Sequence, residues 1–303
     1  MLDWDEQILE YKTFLLLEKG LSVNTIEAYL RDINLFRGFI SEHYALTPSD
    51  VRYEQIENFL AHLHDLGSSA TTHARVISGV KSFFNYLYLY DKIETLPTEL
   101  VDTPKIKRKI PDVLTVEEVL KIVDTIELNT ALDYRNKAIL DVMYSCGLRV
   151  SEVCGLKISD LFFNDGFIRV IGKGDKQRLV PVNEKMIKSV NDFIEIRNES
   201  IISYKNEDIL FLNRRGKQLS RVMVFNIVKN AVEMAGVRKN VSPHTFRHSF
   251  ATHLLKGGVD IRFVQEMLGH ESITTTEIYT HLDIEHKRSI IEKFHPLSKM
   301  DKE

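Results

Sequence analysis

Phe167-Ile-Arg-Val-Ile-Gly-Lys-Gly-Asp-Lys-Gln-Arg-Leu-Val-Pro-Val182 interrupts a chain whose pattern is otherwise helical. Its two ends, 167–171 and 178–182, are rich in β-branched residues, and Gly172-Lys-Gly-Asp-Lys176 between them reads as a hairpin turn. Ile209-Leu-Phe-Leu212 is a candidate third strand. Downstream, apolar residues return at helical spacing and predict helices near 184–198, 221–235, 243–256, 260–268, 272–281 and 284–294. Upstream, Thr115-Val-Glu-Glu118 is a capping box that opens helices near 116–126 and 132–146, with Gly147 a natural stop. One small antiparallel sheet in a helical body makes this part α+β.

The first 90 residues carry no such interruption. A helix over 5–19 presents Ile8, Tyr11, Phe14 and Leu15. Asn24 and Glu27 form a capping-box pattern before Ile26, Tyr29, Leu30, Ile33, Phe36 and Ile40. Thr47-Pro-Ser-Asp50 breaks the period. Ile56, Phe59, Leu60 and Leu63 mark a third helix, stopped by Gly67. Ser68 or Ser69 can cap a fourth, with Ile77, Val80, Phe84 and Leu87 inside. These helices predict a small four-helix bundle. Thr95–Pro111 holds three of the seven prolines and the run Pro104-Lys-Ile-Lys-Arg-Lys-Ile-Pro111, the composition of a linker. The expected organisation is mainly α, with domains at 1–90 and 112–303 joined by 91–111.

A length of 303 residues suits two cores better than one, and 44% hydrophobic with 27% charged residues excludes disordered and fibrous classes. No apolar run reaches the roughly 18 residues of a membrane span, and Met1-Leu-Asp-Trp-Asp-Glu6 does not resemble a secretory signal. Two cysteines, Cys146 and Cys154, fit a reducing cytosol rather than a disulfide scaffold. The net charge of −3 argues at first against nucleic acid, but the charge is unevenly spread. Residues 1–103 carry 16 acidic and 8 basic side chains, whereas 105–109 carry four basic and none acidic. Composition therefore leaves DNA binding open.

Neither a Walker A loop nor a dinucleotide fingerprint is present, since Gly172-Lys-Gly174 has the spacing of neither. Polar residues able to do chemistry gather between His244 and His281. Ser242-Pro-His-Thr-Phe-Arg-His248 begins with an N-cap and a proline at N1, which puts His244 and Arg247 on one face of a first helical turn. Such a turn can hold a phosphodiester, and the alternative is a capped helix meeting only water. A zinc pair is a second alternative, with His244 and His248 four apart and His253, His270 or His281 as third ligand. The metalloprotease glutamate is missing, because Thr245 stands in its place.

The string His244-Thr-Phe-Arg-His-Ser-Phe-Ala-Thr-His-Leu-Leu255, with Leu268-Gly-His270 through to Tyr279, closely resembles the second signature block of the tyrosine recombinases, the phage integrase family. Tyr144-Ser-Cys-Gly-Leu-Arg149-Val-Ser-Glu152 resembles the first block, and Gly172-Lys173-Gly174 the hairpin lysine. Cys146 and Phe246 depart from the commoner residues there as packing changes. The N-terminal bundle resembles the family's SAM-like core-binding domain, a DNA clamp. The length and short tail resemble the XerC/XerD chromosomal recombinases, XerD more than XerC.

This resemblance implies that Tyr279 attacks a DNA phosphodiester, leaving a 3′-phosphotyrosyl enzyme and a 5′-hydroxyl. It implies that Arg149 and Arg247 grip the non-bridging oxygens, that Lys173 protonates the leaving oxygen, that His244 assists proton transfer and that His270 hydrogen-bonds the phosphate. Glu152 is left outside this set, as either a partner of Arg149 or a surface residue. Neither ATP, metal nor other cofactor is implied. The implied partners are double-stranded DNA at a dif-like site and a XerC-like recombinase, or a second copy of the chain, in a synaptic tetramer. A septal DNA translocase is a further candidate, and no membrane is implied. The expected function is resolution of chromosome dimers in the cytoplasm, for chromosome partition at cell division. A mobile-element integrase, a type IB topoisomerase-like strand transferase and a nonenzymatic DNA-binding protein are the alternatives. The tail over 283–296, with Ile284, Ile290, Ile291 and Phe294, is expected to contact a neighbouring protomer.

Overall fold

The computed structural model describes residues 2–102, 112–198, 206–269 and 289–300. The chain forms two compact units, residues 1–109 and 110–303. In the first, α1 (Trp4–Leu17), α2 (Val23–His43), α3 (Tyr53–Asp65) and α4 (Ala70–Leu89) make the bundle. The cap of α2 is Ser22 rather than Asn24, its side chain accepting from the Thr25 amide. Ser69 caps α4 in the same way. Satisfying an orphan amide at a helix start stabilises it by about 1 kcal/mol.

The bundle core is rich in aromatic rings. Trp4 stacks on Phe83 at 5.8 Å, and Phe36 meets Phe59 edge to face at 5.0 Å. Such geometries add roughly 0.5–1.5 kcal/mol per pair to the burial itself. Asp32 is buried and paired with Arg75. Gly79 allows the close approach of α4 to α2, because a Cβ there would lie 2.7 Å from Asp32 Cβ. Ile93 and Val101, beyond α4, are buried in this same core.

The second unit is built around α6 (Ala131–Cys146), whose residues 138–146 are all buried. The capping box of α5 (Val116–Asp124) is present, Thr115 and Glu118 exchanging side-chain-to-backbone bonds. Gly147 ends α6 in the left-handed conformation, and a short α7 (Val150–Gly155) follows that the periodicity did not predict. The hairpin forms as expected, β2 (Phe167–Ile171) pairing with β3 (Gln177–Pro181) in antiparallel register, Val170 opposite Arg178. The third strand is a correction. It is β1 (Leu161–Phe162), next to β2, whereas Ile209 and Leu212 make only isolated bridges to Lys157 and Gln218.

Helices α8 (Glu184–Asn198), α9 (Arg221–Met234), α10 (Pro243–Gly257) and α11 (Ile261–Leu268) complete the body. The helix expected over 272–281 lies outside the described residues. Residues 289–294 are helical, and α12 (Pro296–Met300) follows. Ile291, His295 and Leu297 are buried within this unit, Ile290 and Phe294 are half-buried against its core, and Ile284 lies outside the described residues. An apolar stripe announces burial without saying which molecule provides it.

Candidate active site

The ends of four helices create the site. Gly147, at φ +58°, terminates α6, and a Cβ there would strike the Phe250 ring at 2.4 Å. The chain turns through Leu148, so that Arg149 becomes the N-cap of α7. Across from it, Gly269 ends α11, also left-handed. Arg247 projects from the first turn of α10, which Ser242 caps by accepting from the Thr245 amide.

Helix C-termini expose unpaired carbonyls and the negative end of the helix dipole, both of which attract guanidinium groups. Arg247 donates to Gly147 O at 2.7 Å and to Leu268 O at 2.6 Å. Arg149 donates through Nη2 to Gly269 O at 3.1 Å. The two arginines, 98 positions apart in sequence, thus meet at the end of α11, and Arg247 also holds the end of α6. Their side chains differ in openness: Arg149 is 36% exposed and Arg247 11%.

Glu152 lies at the centre of this arrangement, a correction to its being left out. Its carboxylate is buried and accepts from Arg149 Nη1 at 2.9 Å, from the Arg149 amide at 2.8 Å and from both Nη atoms of Arg178 at 2.8 Å. Arg247 Nη1 stands 3.9 Å away. Burial alone would raise the Glu152 carboxyl, but the hydrogen bonds and charge of Arg178, then of Arg149, outweigh it and hold the group ionised below its ordinary value. Burial, then the charge of Arg149, lowers the Arg247 guanidinium to about 10, so it stays charged at neutral pH. Three guanidiniums around one carboxylate leave an excess of positive charge, suited to an anion that can reach Arg149.

His244 is exposed in the first turn of α10, as is His248. His253, a third-ligand candidate in the zinc alternative, instead faces inward, its Nδ1 2.8 Å from the Tyr144 hydroxyl. Lys173 falls in the turn between β2 and β3, Lys173–Asp175, where Gly174 takes φ +70°. Its side chain, His270, Tyr279 and His281 lie outside the described residues. The structure therefore brings Arg149 and Arg247 together, with Gly269 immediately before His270. It adds two residues, Glu152 and Arg178.

Residues 112–286 match the phage integrase family, and residues 8–90 match the phage integrase N-terminal SAM-like domain. Among curated relatives, tyrosine recombinase XerD of Staphylococcus aureus is 41% identical over 289 residues, covering 95% of this chain and 98% of the relative. The Staphylococcus epidermidis XerD is 39% identical over the same coverage. Among solved structures, the XerH recombinase bound to a palindromic difH substrate after cleavage aligns over 99% of this chain and 89% of that one, with TM-score 0.71 and 23% identity. A lambda integrase tetramer on a Holliday junction aligns over 92% of this chain and 80% of that one, with TM-score 0.70 and 20% identity. These likenesses speak for the fold.

Proposed function

The chain belongs to the phage integrase family and is a site-specific tyrosine recombinase of the XerD type, and from that premise we propose how its own residues divide the chemistry. Tyr279 Oη attacks the scissile phosphorus, forming a phosphotyrosyl ester as the bond to the 5′-oxygen breaks. The 5′-hydroxyl of a partner strand later attacks that ester and releases the tyrosine. The ester conserves the energy of the original bond, so the exchange needs no nucleotide cofactor. A phenol with pKa near 10 must lose its proton as it attacks, and His244 assists that transfer. Lys173 protonates the departing oxygen, which would otherwise leave as a strongly basic alkoxide. Arg149 and Arg247 hold the non-bridging oxygens and answer the negative charge that grows at phosphorus, with His270 donating a further hydrogen bond.

One observation carries this reading: Arg149 and Arg247, from different helices, are held around Glu152 at two helix ends, with the Arg149 side chain partly exposed. The substrate is double-stranded DNA at a dif-like site, and the partner a XerC-like recombinase or a second copy in a tetramer. Resolution of chromosome dimers in the cytoplasm, with a septal DNA translocase as activator, is the corresponding cellular role. Among the described residues, no helix is long and apolar enough to cross a membrane.

A dif-like duplex nicked beside the scissile phosphate tests the reading, because the short cleaved fragment diffuses away and traps the covalent state. Wild-type protein should form an SDS-resistant adduct, while Tyr279→Phe should bind the duplex comparably and form none. An adduct from the Phe variant would displace Tyr279 as the nucleophile.

A further inference from the structure

Arg178 occupies a position whose strand parity belongs to the core. On β3 it points to the same side as Val180, and it lies opposite Val170 of β2; both valines are buried. Its side chain is only 7% exposed. A buried guanidinium costs several kcal/mol unless its charge and its donors are matched. Here they are: Nη1 and Nη2 make a two-pronged contact with Glu152 at 2.8 Å each, and Nε donates to Met267 O at 2.7 Å. The guanidinium also packs under the left-handed Gly269, where a Cβ would meet its Cδ and Nη1 at 3.3 Å.

These contacts tie together three segments that carry proposed catalytic groups. Arg178 is on the strand leaving the turn with Lys173. Glu152 is on α7, three residues after Arg149. Met267 and Gly269 are at the end of α11, directly before His270. The pairing has an electrostatic consequence as well. A carboxylate facing only Arg149 and Arg247 would cancel part of the charge that a phosphate needs to meet.

We propose that Arg178 is a positioning residue of DNA cleavage, fixing Glu152 and the end of α11 against the arginine pair and neutralising Glu152 so that Arg149 and Arg247 keep their charge for the phosphate. The inference rests on the cleavage reading above. Arg178 touches no substrate in this scheme; it acts through Glu152 and the Met267 carbonyl.

Single-turnover adduct formation on the nicked dif-like duplex, at saturating protein, separates this role from a structural one, with melting and duplex affinity read on the same preparations. Arg178→Met should bind within about threefold of wild type yet cleave on the order of 10²-fold more slowly, the scale of a small misplacement of reacting groups. Arg178→Lys keeps the charge and one contact, and should fall between. Adding Glu152→Gln to Arg178→Met removes the unanswered carboxylate and should raise the rate at least about tenfold over the single variant. If Arg178→Met does not fold, the Lys and double variants carry the comparison. Wild-type cleavage per folded molecule in Arg178→Met or Arg178→Lys would overturn the proposal. So would a double variant that regains melting temperature but no rate. Failure of the wild type itself to form an adduct would instead remove the recombinase reading.

Discussion

At the scale of single residues, position in a motif and position in space carried different information. Arg149 and Arg247 were legible because their neighbours form recognisable strings. Glu152 was not, since a carboxylate three residues after an arginine on a helix is equally the pattern of a surface ion pair. Arg178 had a signal in the sequence: with Val180 and Val182 at alternate positions it shares the parity of the buried valines, and a charge on that face demands a partner. Asp141 is a buried charge of another kind, 1% exposed on the central helix α6. Burial pushes its carboxyl up to about 6, against smaller relief from Ser189, Lys185 and Lys137. The folded chain therefore binds the Asp141 proton more tightly than the unfolded chain does. Its contribution favours folding below about pH 4 and is lost as pH rises through about 6. Asp141→Asn, which is neutral throughout, should accordingly be more stable than wild type at pH 8, by on the order of 2 kcal/mol. The gap should close near pH 4. Denaturant unfolding at the two pH values measures it, and an offset independent of pH would show that the carboxyl is not penalised.

At the scale of elements, the helices were read from period and caps, and most boundaries fell within a few residues. What spacing could not supply was how helix ends meet. The site is made of such ends: the Gly147 and Gly269 stops present the carbonyls that Arg247 and Arg149 occupy. The short α7 escaped because six residues hold too little periodicity. Gly147 is the element-scale test. Gly147→Ala meets two obstacles, a φ of +58° and a Cβ at 2.4 Å from the Phe250 ring, so the backbone or the ring must move. Gly236→Ala meets only the first, since φ there is +64° and a Cβ would find nothing within 4 Å. Backbone strain alone costs roughly 1–3 kcal/mol. Gly147→Ala should be clearly the more destabilised in thermal melting and should also lose adduct formation, because Arg149 is two residues away and Arg247 holds the Gly147 carbonyl. Equal melting temperatures for the two variants would mean that the Phe250 contact relaxes at no cost.

At the scale of the whole molecule, one early expectation came from a sum and another from its distribution. The tail stripe was legible as apolar, but not how it divides, with Ile291 buried in its own unit and Ile290 and Phe294 only half-buried against it. Charge behaves similarly. A chain total of −3 hides an acidic first stretch, the basic run at 105–109, and the excess of guanidinium around Glu152. DNA responds to local cations, since each phosphate neutralised releases condensed counterions, whatever the charge elsewhere on the protein. The equilibrium affinity for a dif-like duplex should therefore fall steeply with salt, log affinity dropping by roughly 0.9 per phosphate contact for each decade of salt. Replacing Lys105, Lys107, Arg108 and Lys109 with alanine should reduce that slope. Truncating Arg149 alone should change it by no more than about one contact, because a single guanidinium answers a single phosphate. Titrations by fluorescence anisotropy at several salt concentrations give both slopes. A flat response for the wild type would mean that phosphate contacts do not hold this chain on DNA.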